Sequence, residues 1–149
     1  VGEPSHEHLL ARLRPRAIER LLEIRASIDP AYGHIAEDQA RRQFARVLSK
    51  MAAFLGEGDL EPYQRFAHRW AAMRAGQGFS REGLVHSAVA IGDVLVQTAR
   101  EELGATADCE AFVRAVTHMT YLAARMLVDD LAAEVESAAG ELAEVRARG

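Results

Sequence analysis

The stretch DCEAFVRAVTHMTYLAARMLVDDLAAEVESAAGELAEVRAR, Asp108 to Arg148, decides the fold. It contains no proline and a single glycine, Gly140. Its apolar residues recur every three or four positions, so it reads as one unbroken helix, far beyond the ~11–12 residue mean. The spacing changes along its length. Phe112, Val113, Val116, Met119, Leu122, Met126 and Leu127 spread over a broad face, as in a helix sunk in a core. From Val128 onward the stripe narrows. Val128, Leu131, Val135, Ala138, Leu142 and Val145 step 3, 4, 3, 4, 3. That is a heptad seam, with Val128, Val135 and Leu142 at a and Leu131, Ala138 and Val145 at d. Glu141 then falls at g and Arg146 at the following e, a pair that meets across a parallel dimer. Gly140 falls at f, where a missing side chain costs the packing least. A stripe this narrow can also lie along its own domain. The expectation taken here is a helical domain over residues 1–127 and a coiled-coil-like linker helix over 128–149.

Working outward, four breaks divide the rest of the chain: Ile28-Asp-Pro-Ala-Tyr-Gly33, Gly56-Glu-Gly-Asp59, Gly76-Gln-Gly-Phe-Ser80 and Gly104-Ala-Thr-Ala-Asp108. Gly and Pro stop helices, while Asp and Ser cap their starts by accepting from free amides. Between the breaks every stretch has helical period, and none alternates like a strand. The first, Ser5 to Ser27, holds Leu9, Leu10, Leu13, Ile18, Leu21, Leu22 and Ile24. Pro15 lies inside it and predicts a break or kink near Arg14. The second, His34 to Leu55, is striped by Phe44, Val47, Leu48, Met51 and Leu55. The third begins near Asp59 and carries Tyr63, Phe66, Trp70 and Met73. The fourth, Ser80 to Leu103, carries Leu84, Ala88, Ile91 and Leu95. Ala88 and Gly92 leave a flat spot on it where another helix can come close. The fold class is therefore all-α.

The chain has 149 residues, 49% of them hydrophobic but only 6% aromatic, and a net charge of −4. One domain is expected at this length, and alanine richness favours helix. The acidic balance argues against a nucleic-acid partner, which needs a basic face. The arginines Arg12, Arg14, Arg16, Arg20, Arg41, Arg42 and Arg46 are balanced by Glu19, Glu23, Glu37 and Asp38 into a mixed-charge face. No apolar run has the length of a membrane span. The start is polar, without the basic residues of a signal peptide. It begins at Val1 and stops at Gly149 without a closing loop, so the expectation is a piece cut from a longer protein. Cys109 is the only cysteine, which excludes an intrachain disulfide and suits a reducing, cytoplasmic compartment.

Sites of chemistry are sparse. Nucleophile elbows, Walker loops and dinucleotide fingerprints are absent. Glu3-Pro-Ser-His6 has the letters of a di-iron Glu-x-x-His pattern, but no second copy exists. His6-Glu7-His8 reads as a disordered polar start. Cys109, between Asp108 and Glu110 in a first helical turn, reads as buried and inert. Helical-wheel positions put His68, His86 and His118 on polar stripes. A haem globin would need His86 or His118 turned inward as axial ligand. Tyr63, Phe66 and Trp70 stand at a spacing that fills a core or lines a small-molecule cavity. No cofactor, metal site or catalytic residue is expected.

The run Phe66-Ala-His-Arg-Trp70-Ala-Ala-Met-Arg-Ala75-Gly-Gln-Gly-Phe-Ser80, then Leu84, is preceded by Arg41-Arg-Gln-Phe44 and Leu55-Gly-Glu-Gly-Asp59. With the Leu9-Leu10 and Ile18-Glu-Arg-Leu21 helix before it and the long exit helix after it, it resembles the N-terminal sensor domains of RsbR-type stressosome proteins and related bacterial histidine kinases. The resemblance spans nearly the whole chain and is carried by helix ends and apolar positions. It implies a globin-like domain without haem, a homodimer, and a last helix leading to an output domain. That output would be a STAS domain, with a partner kinase in a large signalling complex, or a kinase. The expected function is a non-catalytic sensory domain, with a haem-binding gas sensor as the alternative.

Overall fold

A computed structural model describes residues 5–149 of the chain. Five α-helices and one 3-10 turn run through it in the order α1 (His6–Ile28), the turn Pro30–His34, α2 (Glu37–Glu57), α3 (Leu60–Gly76), α4 (Arg81–Leu103) and α5 (Ala107–Arg148). No strand occurs among the described residues. Glu3, half of the Glu3…His6 pattern, lies outside them.

The expected punctuation falls where its chemistry requires. Ser5, Asp59, Ser80 and Thr106 each accept a hydrogen bond from a first-turn amide, at 2.9–3.1 Å. Asp29 does the same for the 3-10 turn through Ala31 N, at 2.8 Å. Gly58 stops α2 at φ 72°, a left-handed conformation that favours glycine.

Two local expectations fail. Pro15 does not break α1, which is continuous through it. Pro15 is exposed, and so is Ala11, whose carbonyl loses its helical donor but stands open to solvent. Leu10 and Leu13 before the proline and Ala17 and Leu21 after it are fully buried in one core, which outweighs the ~3 kcal/mol penalty of an interior proline. His6-Glu7-His8 is likewise ordered: it forms the first turn of α1, and the His6 ring meets the Phe112 ring edge-on at 6.1 Å.

α1 packs on α2 and α4, α4 packs on α5, and α3 touches α2, α4 and α5. The α4–α5 pairing is close because Gly92 lacks a side chain: a Cβ there would overlap Thr120 of α5. The flat spot read from the sequence is thus a helix–helix contact. A single core runs through the helices, with Leu10, Leu13, Phe44, Leu48, Leu95, Phe112, Val116 and Met119 at its centre.

Candidate functional site

The first candidate site is the outer part of α5. The helix leaves the core at Leu127 and runs on to Arg148. Asp130 meets His68 Nδ1 of α3 at 2.9 Å, and Glu134 meets Arg81 of α4 at 2.6 Å. All four side chains are largely open to water, so these pairs guide the helix more than they stabilise it. Every residue from Ala132 to Gly149 is exposed. The seam residues Val135, Leu142 and Val145 are 57%, 52% and 63% exposed, and Val128 and Ala138 are exposed with them. Leu131 differs. It is half-buried, lining a cleft with Ala71, Phe79 and Leu84.

The exposed row also starts earlier than the seam read from the sequence. Tyr121 is 56% exposed and lies seven residues before Val128, in the same a register. Tyr121, Val128, Val135 and Leu142 therefore make one row over three heptad steps. The spacing contains this extension, but the phenol hydroxyl and the neighbouring Arg125 give Tyr121 a polar surrounding on the helical wheel.

The second candidate is a cavity of about 40 Å³ where four helices meet. Val47 and Met51 of α2, Tyr63, Ala67 and Trp70 of α3, Ala88 and Ile91 of α4, and Thr120, Ala123 and Leu127 of α5 line it. Of the three aromatic residues expected at a pocket, Tyr63 and Trp70 line this cavity. Phe66 does not; it lines an outer groove between α2 and α3 with Arg42, Arg46 and Arg69. Burial pushes the Tyr63 phenol up to about 12. Its ring stacks on Phe54 at 4.9 Å. The Trp70 indole Nε1 is buried with no acceptor among the described residues.

The α3 stripe itself needs one correction. Met73 does not continue it inward and is 37% exposed, while Arg74 is fully buried. The Arg74 guanidinium lies over the rings of Tyr32, Phe79, Trp70 and Phe44, at 4.8–5.8 Å from their centroids. It donates to Gln43 Oε1, to Gln77 Oε1 at 3.1 Å and to the Tyr32 hydroxyl at 3.1 Å. Its Nε has no partner among the described residues. Burial lowers the Arg74 pKa, and the Tyr32 oxygen partly offsets that. An apolar-periodicity pattern cannot place a cation in a core, so sequence reading had no signal for this residue.

Haem does not fit these residues. His86 and His118 are both exposed, and the cavity is far below the ~300–1,000 Å³ of even ordinary ligand sites. Among the described residues, no group of three His, Cys, Asp or Glu side chains could hold a metal ion. Cys109 is fully buried in the first turn of α5. No described helix is long and apolar enough to cross a membrane. Comparison with protein families, curated proteins and solved structures finds no match for the chain.

Proposed function

We propose that the chain is a non-catalytic sensory and dimerisation domain of a bacterial signalling protein. Two copies pair in parallel through the outer part of α5, and a shift of the paired helices carries the signal to an output domain of STAS or kinase type. The globin-like arrangement, the RsbR-type kinship and a cytoplasmic setting belong to this reading and rest on the resemblance of the sequence. The observation that carries the function is the row Tyr121, Val128, Val135 and Leu142, apolar, in heptad register and uncovered by its own chain. An apolar row of this length is costly in water and is relieved by a second copy of the same row. Heptad packing also admits discrete registers, which suits a two-state transmitter.

The test is Leu142→Asp, with Val135→Asp as its companion. Neither residue packs on the body of the domain, so both variants should keep the wild-type melting temperature. Each places an unpaired charge in the seam. Sedimentation should show the dimer weakened by about a hundredfold, roughly 3 kcal/mol. Wild-type association in both variants would remove the seam. Leu131→Asp is a poorer choice, because Leu131 is half-buried and lines a cleft with Leu84 and Phe79.

A further inference from the structure

The four-helix cavity has features that a chance packing defect does not combine. Interiors hold few voids larger than one water molecule, and a water needs only ~10–15 Å³ of such space. The 40 Å³ here has room for more than one. Water would be poorly held. Bound water wants two to four polar partners, and the walls are mainly aliphatic. The hydroxyl of Thr120 has given its proton to Val116 O at 2.8 Å and can only accept. Beside this largely apolar space stands Trp70, 7% exposed, with an indole N–H that has no acceptor among the described residues. The cavity is partly open to solvent, and Tyr63 and Trp70 each border a neighbouring outer cleft as well: Tyr63 the one by Phe54 and Pro62, Trp70 the α2–α3 groove. On the far side the cavity touches Ala123 and Leu127, and Leu127 immediately precedes Val128 of the exposed row.

We infer that this cavity is a binding site for a small uncharged molecule of a few heavy atoms, with an apolar body and at most one hydrogen-bond acceptor. The apolar body fills the space between Val47, Ile91 and Leu127, and an acceptor satisfies Trp70. Occupancy alters the packing of Ala123 and Leu127 and so biases the outer part of α5. That last link rests on the proposed role of α5; binding at the cavity does not.

Xenon and acetone are the probes, one without and one with an acceptor. Trp70 is the only tryptophan, so its indole resonance needs no assignment. In methyl and indole NMR of the intact chain, xenon should give saturable shifts at Val47, Ile91 and Leu127. Acetone should compete with xenon and also move the Trp70 indole proton. Val47→Ile, which adds one methylene inside the cavity, should weaken xenon binding by about tenfold or more. Val47→Ala should strengthen it. Shifts confined to Met73 and other groove residues would overturn the site, as would shifts that fail to saturate or an unchanged affinity in Val47→Ile. The same titration on Leu142→Asp separates the two proposals. Xenon binding in that variant, with association unchanged, sinks the seam and keeps the cavity. Loss of association without xenon binding in either protein does the reverse.

Discussion

Arg74 carries a positive charge into a place where, among the described residues, no carboxylate pairs with it. Four aromatic rings and three neutral oxygens hold it instead. Ring faces attract a cation by about 0.5–2 kcal/mol each, and hydrogen bonds from a charged donor contribute about 1.5–3 kcal/mol. The desolvation cost is several kcal/mol, so the charge itself adds little net stability. What Arg74 supplies is shape: one side chain joins the 3-10 turn, α2, α3 and the loop between α3 and α4. Removing the charge while keeping the volume should therefore be mild. Arg74→Met should cost about 1 kcal/mol and Arg74→Ala about 3 kcal/mol or more, because alanine leaves a cavity. Chemical denaturation of the two variants checks the order. Equal losses would mean that the cation, not the volume, holds this corner together.

At the scale of the helices, the close approach of α4 to α5 depends on Gly92. Alanine there would favour helix by about 1 kcal/mol. It would also overlap Thr120, whose β-branched side chain has little freedom to move away. Overpacking of this kind costs about 1–3 kcal/mol. Gly92→Ala alone should lower the melting temperature, and Gly92→Ala with Thr120→Ala should recover it, since the two positions are in contact. Failure of the second change to rescue the first would place the clash elsewhere. The helix ends were legible in the sequence because a cap is a local device: Ser80 and Asp59 accept from amides, and Gly58 donates its own amide to Phe54 O, all within a few residues. Pro15 was misread for the complementary reason. Its penalty is local, but burial of the residues on either side of it in the common core is not.

For the whole molecule, charge is divided unevenly along the chain. After Leu127 come six carboxylates, from Asp129 to Glu144, and two arginines. The net charge of −4 therefore falls wholly on the outer part of α5, and the rest of the chain is neutral with histidine uncharged. Pairing two such helices in parallel brings like charges together, relieved only by Glu141 facing Arg146. Salt screens that repulsion, since the Debye length falls from about 10 Å at 0.1 M to about 3 Å at 1 M. The proposed dimer should thus tighten by a few-fold, about 1 kcal/mol, as salt rises over that range. Sedimentation in a salt series measures it. A dimer that weakens with salt would be held by ion pairs and not by the apolar row.

The sequence by itself determined the helices, their caps and the apolar row on α5, because each is written in spacings of three, four and seven residues. It also put His86 and His118 on polar faces. Only the tertiary structure decided that Tyr63 and Trp70 line a small cavity while Phe66, buried too, borders the α2–α3 groove, that Met73 yields its place to Arg74, and that Leu131 is half-buried against the body of the domain. Those outcomes depend on which helix lies opposite, and the spacing of residues along one helix contains no information about its neighbour.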